Sequence, residues 1–520
     1  MEINYVDLFD RAARLSAGRT ALIDGSGSLT YAELSVLTNR LANALLARGF
    51  AKSTPFAILS PNASFALAAV IGGLKAGGAW SNINLRNALS TNIDILKRGG
   101  CQVLFFHSSV AAQLEEIRSE VPMLRSLVCV DRETETYPSL ATFCRDAGNT
   151  PVSVHMDATD VQFQGSTGGT TGAPKITQGG PAFAAQCAVA FMTEMHFDEP
   201  PVNLAVAPIT HAAGFIALTT LAMGGTVVLM AHADQAEILK NIERHRVSML
   251  FLPPTLIYML MNHADAKRTD FSSLRYLMSA AAPFAAEKIA GAHALFGPCV
   301  CQCYGQTESG MPLTFMSPAH MTEALKNPEH AGRLRSAGLP TTMVSGFEVM
   351  DENGELLPPG KVGELVVRGP TVMLRYIGDP DATAAIKQYG WQHTGDVGYR
   401  DADGFIYISD RKRDLIISGG FNVFPLEVEQ VLTRHPAVQD CAVIGVPDEK
   451  WGEAVKAVVE LAPGKTADEA ELIALCKEAL GSVMAPKSVE FIKELPRSAV
   501  GKVLKRELRE RYWKNRSSQI

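Results

Sequence analysis

From Pro200 to Ala233 the sequence carries no Asp, Glu, Lys or Arg. A stretch this long without charge is buried, either across a bilayer or inside a layered α/β protein. Pro208, Gly214, Gly224 and Gly225 interrupt it, and His211 lies within it. That punctuation fits a strand–helix–strand unit and not one continuous membrane helix of about 20 residues. The run TVVLM, Thr226 to Met230, reads as an inner strand of a parallel sheet. No integral membrane segment is expected.

The same alternation runs through the first 310 residues. Thr30 and Glu33 stand at capping-box spacing ahead of Leu34, Leu37, Leu41 and Leu45, with Gly49 as a stop. Phe56 to Asn62 (FAILSPN) reads as a strand running into a turn, and Phe65, Ala69, Ile71 and Leu74 as the helix after it. Beyond residue 345 the pattern changes to short strands around Asn-Gly and Pro-Gly turns, and Asp403-Gly404 marks a further hairpin. A boundary follows near residue 410, where the charged run DRKRD turns apolar and helix and strand patterns restart. With 520 residues the chain is too long for one core. The expectation is an α/β protein: a large N-terminal domain, 1–410, of layered α/β subdomains plus a β-rich subdomain, and a small C-terminal α/β domain, 411–520.

Charge limits the partners. The formal net charge is −6 and the pI about 6.1, which argues against a nucleic-acid or anionic-membrane binder, since both need a basic surface. Any phosphate group must be met by a local site. The start, MEINYVDLFDRAARL, has no basic segment followed by an apolar run, so a cytoplasmic protein is expected. The nine cysteines show no zinc-site spacing; Cys299, Cys301 and Cys303 alternate as on one face of a strand, and free buried thiols are the expected state.

The strongest local signal is GSTGGTTGAPK, Gly165 to Lys175, with three Gly and four hydroxyl side chains between Ser166 and Gly172. Such a loop presents free backbone N–H groups that can wrap an oxyanion, with hydroxyls and Lys175 as further donors. The Walker spacing G-x-x-x-x-G-K-[ST] is absent. A plain surface turn has a similar composition. Five more segments follow: PITHAAG (Pro208 to Gly214), CYGQTE (Cys303 to Glu308), TGD (Thr394 to Asp396), SDRKRDLIISGGFNVFPLEVE (Ser409 to Glu429) and PRSAVGK (Pro496 to Lys502). Each has a bland reading when alone: a core histidine, a strand end with a helix cap, a hairpin turn, a solvated basic face.

Together and in this order, these segments resemble the adenylate-forming superfamily, which includes acyl-CoA synthetases, nonribosomal peptide adenylation domains and firefly luciferase. The resemblance covers roughly Leu29 to Leu508. It implies an enzyme that activates a carboxylic acid as its adenylate and passes the acyl group to a thiol, using ATP, Mg²⁺ and coenzyme A. By the same resemblance, the ATP and AMP contacts fall on Thr167, Gly168, Gly169, Thr170, Thr171, Gly172, Lys175, Gln302, Tyr304, Gly305, Thr307, Asp396, Arg411 and Lys502. Tyr304 would stack on adenine, Asp396 would take the ribose hydroxyls and Glu308 would hold Mg²⁺. Catalysis would rest on Lys502, Thr307, Glu308, Arg411 and His211. Gly168 stands where relatives usually have Ser, which removes one hydroxyl but leaves a backbone donor. Arg413 matches the hinge of a mobile C-terminal domain, where relatives often have Asp or Lys. Gly419 and Gly420 match the pantetheine tunnel, and Trp451 and Lys487 the CoA nucleotide.

Positions matching the acyl pocket carry His211, Ala212, Ala213, Leu252, Ala281, Cys303, Gly310 and Met311. They are apolar or uncharged and mostly small, which favours an aromatic or medium-chain monocarboxylic acid. The expected activity is an AMP-forming acid–CoA ligase. The alternative is an adenylation enzyme that loads a free-standing acyl carrier protein. No acidic residue lies in PITHAAG to pair a substrate ammonium, and little chain follows the lysine motif, so an amino-acid activator with a fused carrier domain is not expected. A nucleotide-binding module without catalysis would not need Lys502, Glu308 and Thr307. The partners expected are small molecules, and a homodimer is compatible with the sequence.

Overall fold

The computed structural model describes residues 4–152, 154–167, 174–280, 282, 284–411, 414–448, 450–498 and 503–513. Of the positions singled out above, Gly168, Gly169, Thr170, Thr171, Gly172, Ala281, Arg413 and Lys502 lie outside the described residues.

The described residues form four sheets. The largest runs, in spatial order, through Leu339–Pro340, Gly310–Met316, Val300–Gln306, Tyr276–Ser279, Met249–Leu252, Val202–Ala205, Thr226–Leu229, Thr20–Asp24 and Gly27–Thr30. Its six inner strands are parallel and its edges antiparallel. The uncharged stretch is the expected strand–helix–strand unit: Val202–Ala205, the helix Ala212–Ala222 and Thr226–Leu229. That helix is buried on all sides, so it needs no polar face. The second sheet runs Arg375–Tyr376, Ile176–Gly179, Phe163–Ser166, Ala79–Ser81, Pro55–Leu59, Val103–Phe106 and Ser126–Cys129.

Helices fill the space between these sheets. Phe56, Trp80 and Phe163 of one sheet share a single apolar cluster with Leu22, Ala205 and Val227 of the other, through Leu34, Leu41, Leu67 and Leu218. The capping box at Thr30 and Glu33 forms as expected: Thr30 Oγ1 accepts from Glu33 N, and Glu33 Oε2 accepts from Thr30 N at 2.8 Å. One buried lysine ties the first three helices together: Lys75 Nζ donates to Asp10 and Asn39, each at 2.6 Å.

The β-rich unit is an antiparallel sheet of Gly346–Met350, Gly363–Arg368, Trp391–Arg400 and Lys387–Gln388, with Ile406–Arg411 paired to the long strand. The strands from Ile416 to Ile492 make a fourth sheet with its own core of Ile416, Val428, Val443, Val455 and Leu472. Arg434 Nε of this last unit meets Glu287 Oε1 of the N-terminal part at 3.0 Å. All nine cysteines are buried and free. Cys301 and Cys303 share one apolar cluster, while Cys299, just ahead of the strand, joins another.

Candidate active site

In open parallel sheets, ligands gather at the carboxyl ends of strands. Four such ends converge here. Phe163–Ser166 leads into the glycine-rich loop, Val202–Ala205 into Pro208 and His211, Tyr276–Ser279 into Ala280, and Val300–Gln306 into Thr307 and Glu308. Ser166, His211, Ala280, Thr307 and Glu308 all line one cleft of about 1730 Å³.

The loop joins two antiparallel strands, with Ser166 opposite Ile176. Its base is closed by Thr167 N donating to Lys175 O at 2.9 Å, and Ser166 N donates to Asn82 Oδ1 at 2.7 Å. Gly165 is required: a Cβ there would lie 2.2 Å from Thr307 Cγ2, so its absence lets Thr307 sit against the loop. Lys175 Nζ lies 4.9 Å above the Tyr376 ring and 4.0 Å from Asp379 Oδ2. Tyr376 OH donates to Glu308 Oε1 at 2.9 Å.

Glu308 is the residue whose chemistry fits a divalent cation. No described residue bonds its Oε2, and among the described residues no group of three or more His, Cys, Asp or Glu could hold a metal. A single carboxylate beside a loop rich in glycine and hydroxyl side chains has the chemistry for Mg²⁺, which takes one or two carboxylates together with phosphate oxygens and water.

Next to it, Tyr304 OH donates to Asp396 Oδ2 at 2.5 Å and accepts from Gln306 Nε2 at 3.0 Å. Burial and the Asp396 charge hold the Tyr304 phenol well above its usual pKa. Asp396 and Arg411 are opposite partners on neighbouring strands, with Arg411 Nε 3.4 Å from Asp396 Oδ1. Gln302 Nε2 donates to Ser336 O. Gly305 cannot be replaced either: its Cβ would come within 2.5 Å of Gly310 O and Met311 Cβ.

The apolar side of the cleft is walled by Ala212, Ala213, Phe251, Cys303, Gly310 and Met311, with His211 also lining it. Burial lowers the His211 pKa, so the imidazole is neutral near pH 7. It hydrogen-bonds no described residue through its ring. Leu252 is a correction. It points into the core with Leu204, Leu250 and Ile257, and the side chain facing the cleft is its neighbour Phe251. On a strand, successive side chains take opposite faces.

From the C-terminal unit, Arg497, Ser498, Val503, Lys505 and Trp513 face the cleft. Lys505 Nζ meets Glu429 Oε1 at 2.7 Å, and Arg497 Nη2 meets Asp440 Oδ2 at 2.8 Å. Gly419, Gly420, Trp451 and Lys487 do not line the cleft. Gly419 packs on Trp451, where a Cβ would lie 2.4 Å from Cε3. Lys487 Nζ donates to Ser482 O at 2.6 Å and Ala485 O at 3.1 Å, closing the end of the helix Glu469–Met484.

Comparison with known proteins decides the family. Residues 9–377 match the model of the AMP-binding enzymes, and 427–502 match that of the AMP-binding enzyme C-terminal domain. This chain belongs to the AMP-binding enzyme family. It is 37% identical to a feruloyl-CoA synthase of Amycolatopsis sp., over 96% of this chain and 98% of that one. It is 32% identical to an indoleacetate–CoA ligase of Aromatoleum aromaticum, over 96% of each. The solved amide bond synthetase McbA of Marinactinospora thermotolerans superposes with a TM-score of 0.87 at 30% identity, covering 98% of this chain and all of that one.

Among the residues of this AMP-binding enzyme's cleft that escaped sequence reasoning are Asn82, Phe251, Tyr376 and Asp379. Tyr376 lies in RGPTVMLRYIGD, which has no recognisable spacing. Only its pairing with Thr177 beside the loop brings it to the site. Phe251 was within reach, because the alternation of the strand Met249–Leu252 offers it as the partner of Leu252 facing the other way.

Proposed function

We propose that this chain is an AMP-forming acid–CoA ligase acting on an aromatic or medium-chain monocarboxylic acid. The observation that carries the proposal is a single cleft. It sets the loop base Thr167–Lys175, the pair Thr307–Glu308 and the pair Asp396–Arg411 beside an apolar, uncharged wall.

A carboxylate is a poor acylating agent, because oxide would have to leave. In the first step one carboxylate oxygen attacks the α-phosphorus of ATP, the bond to the β-phosphate oxygen breaks and pyrophosphate departs. In the second, a thiolate attacks the acyl carbon and AMP leaves with the bonding electrons. Charge accumulates on the α-phosphate in the first step, so preorganised donors there matter most. Thr307 and Lys502 are assigned to that phosphate, Lys175 to the outer phosphates, and Asp396 with Arg411 to the ribose side. Glu308 would hold Mg²⁺, which would neutralise phosphate charge when bound.

The wall chemistry supports the substrate class. Among the described residues of this wall none carries a charge, so a second carboxylate or an ammonium set against it would be buried unpaired, at a cost of several kcal/mol. Each methylene missing from a tail that should fill the wall forfeits about 0.8 kcal/mol. The acids named for the feruloyl-CoA and indoleacetate–CoA relatives fall in the same class. Residues 411–520 act as a mobile lid. The face carrying Arg497 and Lys505 is turned to the cleft here, and Gly419, Gly420 and Trp451 would be brought to it by rotation at Arg413. A chain with nine buried free thiols suits the reducing cytoplasm.

The test is pyrophosphate release over a panel of acids, with ATP and Mg²⁺, with and without CoA. Aryl or medium-chain acids should lead, and CoA should convert a single burst into sustained turnover. Best turnover on malonate or a free α-amino acid would reject the substrate class. Sustained release only with a carrier protein would favour the carrier-loading alternative.

A further inference from the structure

One short segment braces both charged groups at the phosphate end of the cleft. Met373 N donates to Glu308 O at 2.7 Å, and three residues later Tyr376 OH donates to Glu308 Oε1 at 2.9 Å. The same Tyr376 ring lies beneath Lys175 Nζ at 4.9 Å, and Asp379 Oδ2 stands 4.0 Å from that ammonium. The segment is itself fixed to the strand that leaves the glycine-rich loop. Leu374 N donates to Gln178 O at 2.6 Å and Ile377 N to Ile176 O at 2.8 Å, while Tyr376 N donates to Thr383 Oγ1 of the helix Pro380–Ile386 at 2.9 Å. Tyr376 is buried, so neither contact is a solvent-exposed accident.

We propose that Tyr376 is a positioning residue that aims the Glu308 carboxylate at a divalent cation and the Lys175 ammonium at the ATP phosphates. The proposal rests on reading Glu308 as the metal carboxylate. The chemistry follows from the two ends of one side chain. The hydroxyl donates to one carboxylate oxygen and so directs the other, which no described residue bonds, towards a metal, the arrangement by which outer partners orient metal ligands. The ring face attracts a cation without neutralising it, so Lys175 is steadied yet keeps its full charge for phosphate. Asp379 alone would compete with phosphate for that charge; at 4.0 Å it steers more than it binds. One residue thus couples the metal side to the lysine side, and a hydroxyl-only change separates them.

The experiment uses the full-length protein and Mn²⁺ as probe. Free Mn²⁺ is followed by electron paramagnetic resonance in the presence of ATP, and ATP binding without metal is measured by calorimetry in EDTA. Tyr376→Phe keeps the ring under Lys175 and removes only the hydroxyl. It should weaken ATP-dependent Mn²⁺ binding about tenfold, the usual size for loss of an outer partner, and leave metal-free ATP binding unchanged. Tyr376→Leu should weaken both. In a Glu308→Gln background, Tyr376→Phe should have no further effect on Mn²⁺, which a general structural role would not explain. If wild type and Tyr376→Phe hold Mn²⁺ equally, the proposal is overturned while Glu308 remains the metal residue. If wild type shows no ATP-dependent Mn²⁺ binding, both fall. If Tyr376→Leu does not fold, the Mn²⁺ affinity of Tyr376→Phe decides by itself.

Discussion

Tyr304 OH and Asp396 Oδ2 lie 2.5 Å apart, a hydrogen bond that joins the end of the strand Val300–Gln306 to the middle of the strand Trp391–Arg400 of the β-rich sheet. It fixes the carboxylate assigned to the ribose by a bond to a half-buried phenol. Tyr304→Phe should therefore loosen Asp396 and raise the KM for ATP about tenfold. That corresponds to about 1.4 kcal/mol, just under the about 1.5–3 kcal/mol of hydrogen bonds to charged groups. The acid KM should change far less. Steady-state kinetics with each substrate varied checks this, and an unchanged ATP KM would mean that Asp396 is held without Tyr304.

Lys505 and Glu429 form a close pair at 2.7 Å, both mostly buried. Glu429 Oε1 also accepts from Val443 N at 2.7 Å. Burial raises the Glu429 pKa and the nearby Lys505 charge opposes the rise. Lys505→Met leaves that carboxylate unpaired and should destabilise the C-terminal unit by about 3 kcal/mol. Adding Glu429→Gln should recover part of the loss. Urea unfolding of both single variants and the double variant measures the coupling, and simple additivity would show that the pair does not hold the unit together.

His211 gives a pH dependence of defined sign. Its folded pKa is lowered by burial, so below about 6.5 the unfolded chain binds a proton that the folded chain refuses. Its contribution to stability is in place above pH 6.5 and is lost as the pH falls, by up to about 1.4 kcal/mol per pH unit. His211→Phe should flatten the stability profile between pH 6.5 and 5.5 relative to wild type. Thermal unfolding across that range tests it. Parallel profiles would show that the imidazole is as solvated in the fold as in the unfolded chain.

Met311 and Phe251 face the apolar cleft. Met311→Ala opens volume at the wall and should move the kcat/KM optimum to acids bulkier by a few carbons, with an acid that fits the parent pocket losing about 0.8 kcal/mol for each methylene contact removed. Phe251→Leu should act in the same direction. A panel of acids graded in tail size reads this directly, and an unchanged optimum in both variants would place the acyl tail elsewhere.

Much of this was legible in the sequence because its signals are local. The capping box at Thr30, the hairpin at Asp403-Gly404 and the uncharged unit from Pro200 to Ala233 each depend on neighbouring residues, and each forms as expected. The convergence of Thr307, Asp396 and Lys175 on one cleft was implied by the family resemblance that the motifs carry together. What was hidden is what pairing across distant strands creates. Tyr376 reaches Glu308 over a separation of 68 residues, and no periodicity announces it. Leu252 matches the pocket by position although strand alternation turns it inward, an offset of one residue that flips the face. Lys487 matches a nucleotide contact by position, yet its ammonium ends its own helix.

Two-step ligation through an adenylate has a defined stoichiometry. The most direct measurement is the stoichiometry of AMP, pyrophosphate and acyl-CoA formed with the best acid of the panel, quantified by mass spectrometry over a time course. Two-step ligation gives equal amounts of all three, with acyl adenylate and pyrophosphate accumulating to one equivalent of enzyme when CoA is withheld. Release of ADP and phosphate in place of AMP and pyrophosphate, or thioester formed without an adenylate, would contradict it.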